Sequence, residues 1–190
     1  MIRDDKLEGM KCNNQKCVNG YINPNISLVC KICGSKMEEE TFEKFKQQQN
    51  KLINELKKTN SSNEILWKEL YLLQQNYLLP THQLFIESLS ILLNKAVESQ
   101  QWQLASLFSK QLIEAYEEIY PNVWPILGLQ YLMSSKIDWY LHKTQNTIKW
   151  LSKAIPILKI THSHHANVTV AALSLFHEAK AESDFNQNNQ

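Results

Sequence analysis

Glycine and arginine are nearly absent from this chain. Four glycines in 190 residues cannot furnish the Gly-rich loops that cradle phosphates, and neither G-x-G-x-x-G nor a Walker A pattern occurs. That composition disfavours a nucleotide-binding α/β enzyme and favours helix. Arg3 is the one arginine among 20 basic residues, so bidentate reading of phosphates or guanines by an arginine set is not expected. The formal net charge of +1 argues against a dedicated nucleic-acid or membrane-surface binder. No apolar stretch approaches the ~18 residues of a membrane span. The opening MIRDDKLEGM is polar and carries no apolar signal segment. The expected compartment is the cytoplasm, the nucleus or both, with no membrane partner. What remains, 43% hydrophobic and 21% charged residues, is the composition of a globular fold.

All four cysteines fall at the amino-terminal end, as Cys12, Cys17, Cys30 and Cys33. In a reducing compartment such a cluster points to metal rather than to disulfides. The spacing C-x4-C-x12-C-x2-C places two cysteine pairs on two tight turns, which can present four thiolates at the corners of a tetrahedron. Zinc accepts that set, and with every position filled by sulfur the site is structural, with no open position for catalysis. Gly34 follows the last ligand, where the chain must turn sharply. Asn19-Gly20 and Asn23-Pro24-Asn25 read as turns, and Ile26–Val29 alternates like a short strand leading to the second pair. Residues 1–36 are thus expected to form a small zinc ribbon. They hold six basic and three acidic residues, a weak footprint for nucleic acid.

From residue 37 to 183 the apolar spacing is helical throughout. Helices are expected at 38–59, 65–79, 83–99, 102–120, 126–142, 146–160 and 167–181, with Asn60–Asn63 and Thr81-His82 supplying start signals. A polar, frayed tail is expected over 184–190. Short connections imply antiparallel neighbours. Gln101–Pro121 and Lys143–Ser163 superpose at an offset of 42 residues, matching Phe108 to Trp150 and Tyr116 to Leu158. Helix pairs recurring at such periods mark tetratricopeptide-like solenoids, whose extended surfaces bind partners. The fold class expected is therefore mainly α, an antiparallel helical array with a zinc ribbon at its amino end. Pro156 is expected to kink its helix. The tryptophans sit at helical spacing and read as core or helix–helix contacts. His162, His164 and His165 crowd one loop, but no acidic or cysteine partner lies near them in sequence, so they read as a polar connection.

The order of these parts resembles a known family. Lys6-Leu7-Glu8-Gly9-Met10-Lys11-Cys12, the second cysteine pair and the long Lys- and Glu-rich helix are similar to the region after the SET core in SET-and-MYND-domain lysine methyltransferases. Tyr120-Pro121, Pro125–Gln130 and Lys136-Ile137 resemble one later stretch of that family, and Lys153–His162 resembles another. Nearly the whole chain is covered. Two positions depart: Ser163 stands where the family usually has glycine, and Trp124 where it has histidine. The resemblance implies a carboxy-terminal portion of such an enzyme, packed in cis on a SET lobe and contacting protein partners. It also implies S-adenosylmethionine as cofactor of a full-length parent only. No Asn-His pair, MYND cysteine set or C-x-C-x2-C cluster occurs here, so neither catalytic nor cofactor-binding residues are assigned to this chain. Two other readings stay open: a free-standing helical adaptor for a peptide or protein, and a transcription-linked ribbon that binds nucleic acid.

Overall fold

The computed structural model describes residues 4–58 and 63–188. These divide into two compact units, one ending at Leu89 and the other beginning at Ser90. Helix dominates both, as expected, and the sheet among the described residues has two strands.

The first unit opens with a short helix, α1 (Asp4–Leu7), and two strands, β1 (Met10–Lys11) and β2 (Tyr21–Ile22). They pair antiparallel, Met10 opposite Ile22 and Lys11 opposite Tyr21. The strand expected at Ile26–Val29 is not formed. Asn23 instead accepts the Asn25 amide on its side chain at 3.0 Å and the Ile26 amide on its carbonyl at 3.0 Å, closing a turn. Ile26 is exposed there, so its alternation with Leu28 marks no buried face. Val29 contributes a single bridge to Lys36.

Two helices complete the unit, α2 (Glu39–Lys58) and α3 (Glu64–Tyr77). Asn63 caps α3, its side chain accepting from the amides of Ile65 and Leu66; the rest of the expected cap, residues 60–62, lies outside the described residues. Phe45 of α2 meets Tyr77 of α3 with ring centroids 5.1 Å apart. The other edge of β1 is taken by the exit of α3: Met10 bridges Leu78, and the Leu79 amide donates to the Gly9 carbonyl at 3.0 Å. A Cβ on Gly9 would stand 2.6 Å from Leu79 Cδ1 and 3.0 Å from the Lys6 carbonyl, so a larger residue there would have to displace the Leu79 side chain. β1 is consequently the middle strand between β2 and Leu78, and Met10, Ile22 and Leu78 are all buried.

α4 (Gln83–Glu98) crosses the division between the units. His82 starts it, its Nδ1 accepting the Leu84 amide at 3.1 Å, which bears out the start signal read at Thr81-His82. Burial holds this imidazole well below its ordinary 6.5, at about 4, against the pull of Glu8 and Glu87. The folded state therefore favours neutral His82, and its contribution is complete above pH 6.5. It is lost as the pH falls toward 4, by up to about 3 kcal/mol. Urea midpoints measured at pH 7 and pH 4.5 should show this loss, and His82→Asn, which keeps a cap, should flatten it.

In the second unit α5 (Trp102–Ile119), α6 (Pro125–Tyr140), α7 (Thr144–Thr161) and α8 (Asn167–Asn188) pack each on the next. Three residues connect α6 to α7, too few for the chain to return, so the two run antiparallel. α7 continues through the exposed Pro156. α8 extends beyond the expected end at 181, so the tail expected to fray from 184 is helical as far as Asn188. The period of 42 recurs in the helix starts from α4 onward: 83, 125 and 167 for α4, α6 and α8, and 102 and 144 for α5 and α7. Even the turns repeat. Gln100 and His142, 42 residues apart, both take positive φ, 56° and 53°. In the same register Gln101 N–H donates to Ala96 and Lys143 N–H to Asp138, the bonding of a helix terminated by a left-handed residue.

Glycine scarcity is felt at these exits. Ser163, where the resemblance leads one to expect glycine, has φ 72°. A left-handed L-residue costs roughly 1–2 kcal/mol, partly offset against the extra freedom glycine has when unfolded. Gln100→Gly, His142→Gly and Ser163→Gly should each raise stability by about 0.5–1 kcal/mol, read from urea unfolding.

A polar seam runs through the core of this unit. Asp138 of α6 is buried, and its carboxylate accepts from Ser106 Oγ of α5 at 3.0 Å and from Trp150 Nε1 of α7 at 2.9 Å. Beside it the Ser109 and Ser134 hydroxyls bond each other, and Gln130 Nε2 donates to Ser109 at 2.8 Å. The tryptophans serve packing, as expected: Trp67 and Trp150 are buried, while Trp102 stacks on Tyr140 and Trp124 on Tyr120.

Candidate metal centre

The two turns that carry the cysteines are closed by backbone bonds across the ribbon. Cys12 N–H donates to the Gly20 carbonyl (3.0 Å), Lys31 N–H to Tyr21 (2.9 Å) and Cys30 N–H to Ser35 (2.8 Å). The first pair sits on a turn hinged at Asn14, whose carbonyl accepts from Cys17 N–H at 2.9 Å and whose side-chain oxygen accepts from Lys16 N–H at 3.0 Å. The second pair turns at Gly34, where φ is 72° and the amide donates to the Cys30 carbonyl at 3.1 Å. This is the left-handed geometry that the position of Gly34 implies.

These turns bring the four sulfurs within 4.8 Å of one another. Cys12 and Cys33 Sγ are 3.6 Å apart, Cys17 and Cys30 Sγ 3.9 Å. A tetrahedron with Zn–S bonds of about 2.3 Å has edges of about 3.8 Å, so the sulfur cage fits zinc. Among the described residues this is the one group of three or more His, Cys, Asp or Glu placed to share a metal. The histidine loop gives no second one: His162 Nδ1 bonds its neighbour Thr161 Oγ1 at 2.8 Å.

Polar groups around the sulfurs suit thiolates. The amides of Asn14 and Ile32 approach Cys12 Sγ and Cys30 Sγ at 3.4 and 3.5 Å. Asn14 Nδ2 reaches toward Cys33 Sγ at 3.8 Å and donates to Ser35 Oγ at 3.2 Å. The Ser35 hydroxyl, 3.1 Å from Cys33 Sγ, together with the Ser35 backbone holds that thiol down at about 6. Cys17 moves the other way, to about 12, chiefly through the Cys33 sulfur and then through loss of water. Burial, first among its causes, raises Cys12. Thiols this close resist joint ionisation, and a divalent cation at their centre removes that resistance, so binding releases protons.

Gly20, which read only as a turn, is the tightest element of the cage. A Cβ there would stand 2.2 Å from Cys17 Sγ and 2.9 Å from Cys30 Sγ. Asn14 and Ser35 were likewise invisible as site residues. The available signal was their position two residues after Cys12 and Cys33.

No family model matches the sequence. A curated protein does: the histone-lysine N-methyltransferase ASHR1 of Arabidopsis thaliana is 25% identical over 193 residues, covering 95% of this chain. The chain is similar to a histone-lysine methyltransferase. This bears out the lysine methyltransferase resemblance drawn from the ribbon and the later helical stretches. The chain spans 39% of that methyltransferase's length. No helix among the described residues is long and apolar enough to cross a membrane.

Proposed function

We propose that these residues form a zinc-stapled, non-catalytic helical part of a protein lysine methyltransferase of the SET-and-MYND type. It packs on a SET lobe and offers its helices to a protein or peptide partner, in the cytoplasm, the nucleus or both. Similarity to a histone-lysine methyltransferase over 95% of this chain but 39% of that protein carries the reading. Methyl transfer needs a site for the sulfonium donor and a channel that aligns the lysine. S-adenosylmethionine supplies the methyl group to the catalytic lobe of such an enzyme, and no residue of this chain is assigned to hold it. The four cysteines hold one structural zinc.

The test is direct. Incubated with S-adenosylmethionine and histone peptides, this chain should transfer no methyl group, and transfer above a no-enzyme control would overturn the reading. Metal analysis of reduced protein should give one zinc per chain, and a metal-free protein would overturn the site. An adaptor reading is favoured by one observation: Ile126, Leu129, Met133 and Tyr140 on α6 are exposed. The size of the native polypeptide on an immunoblot decides between the two. A species of about 22.2 kDa speaks for the adaptor, and a much larger one for the methyltransferase.

A further inference from the structure

Two side chains in the first unit are about nine-tenths buried and carry a donor with no acceptor among the described residues. His82 is 91% buried, and because its Nδ1 accepts the Leu84 amide, its proton sits on Nε2. Gln49 is 93% buried, and its Oε1 accepts from Gln74 Nε2 at 3.2 Å, which leaves its own amide hydrogens unspent. Among the described residues neither His82 Nε2 nor Gln49 Nε2 finds a partner. Both residues border one cavity of about 380 Å³, within the size range of ligand pockets. Its walls include Phe42, Phe45, Leu78 and Leu84. Neither nitrogen is sealed from solvent, and both residues line the cavity, so a ligand entering it can offer them acceptor atoms beside an apolar group.

The rim tells what carries those acceptors. Glu8 borders the cavity with an exposed carboxylate, held by Asn25 Nδ2 at 3.0 Å, and disfavours an anion. Lys46, also at the rim, is paired with Glu43 at 3.2 Å and lies over the Phe42 ring at 5.1 Å, so its charge is already engaged. The fitting ligand is neutral, with carbonyls for His82 and Gln49, an N–H for Glu8 and a large apolar group for the walls. A peptide bond beside an apolar side chain combines all three. We propose that this cavity between α1, α2 and the start of α4 binds a peptide, taking one large apolar side chain while His82 and Gln49 donate to its backbone carbonyls. The proposal rests on the first unit alone and is independent of the methyltransferase reading.

Nuclear magnetic resonance on the full chain tests it. The probe is N-acetyl-phenylalanine N-methylamide, with the alanine analogue and free N-acetyl-phenylalanine as comparisons. Expected are saturable shifts of the Gln49 side-chain amide and of His82 Nε2–H. Binding should be at least tenfold weaker for the alanine analogue and weaker for the free acid. Gln49→Leu and Phe42→Ala should each weaken it about fivefold or more, a loss on the order of 1 kcal/mol, with the rest of the spectrum retained. Signals that do not move up to about 10 mM probe, beyond which affinity is negligible, mean that the cavity holds only water and overturn the proposal. So does equal binding of the alanine analogue, or binding unchanged in both variants.

Discussion

Gly20→Ala should abolish zinc binding while leaving all four cysteines in place. The added Cβ would lie 2.2 Å from Cys17 Sγ and 2.9 Å from Cys30 Sγ, well inside van der Waals contact. Neither sulfur can retreat without leaving the tetrahedron, because each is tied by its own turn. The expected result is zinc content near zero in the purified variant, with a circular dichroism spectrum that keeps most of its helical signal. Cys30→Ser serves as the positive comparison, since it removes the buried ligand outright. Retention of one zinc by Gly20→Ala would show that the cage is looser than its sulfur spacing indicates. Structural zinc sites contribute to folding directly, so the same variant should also lower the unfolding midpoint of the first unit.

The second large effect is expected at Asp138→Ala. Its carboxylate is the shared acceptor for Ser106 on α5 and Trp150 on α7. Truncation leaves a buried hydroxyl and a buried indole N–H unsatisfied. At roughly 1–3 kcal/mol for each, the loss should be about 3 kcal/mol, a large share of a typical domain's stability. Asp138→Asn, which keeps one acceptor oxygen, should lose about half as much. Urea titration followed by tryptophan fluorescence reads both, since Trp150 itself reports the seam. Equal stability of wild type and Asp138→Ala would mean that water replaces the carboxylate.

The helical part of this architecture was legible because its signals are local. The start at His82 follows from the cap signal at Thr81-His82. The offset of 42 between Phe108 and Trp150 reflects helices that repeat to the residue. Ser163 is the clearest single case, since the missing glycine implied a strained exit and φ is 72°. What escaped depends on distant partners. Met10–Lys11 and Tyr21–Ile22 are too short to show alternation, and β1 exists because Ile22 and Leu78 flank it. Ile26–Val29 alternates without being a strand, because Asn23 captures the chain in a turn. The extension of α8 to Asn188 crosses residues with no apolar stripe to announce it. At the candidate metal centre the clustering of the four cysteines was legible from spacing alone. Gly20, Asn14 and Ser35 act through contacts with sulfurs on the opposite turn, which no local pattern encodes.

The placement of β1 between Tyr21–Ile22 and Leu78 sets an order of events at the ribosome. Chains are made from the amino end and fold as their segments emerge. All four thiols are therefore available to metal before α3 has been synthesised. A ribbon that has closed on zinc presents β1 with one edge filled and the other waiting for Leu78. A nascent chain made under zinc starvation offers the same strand with neither edge secured, and an unpaired strand edge is a template for aggregation. Zinc supply during translation, more than afterwards, should thus govern how much of this protein reaches its folded state.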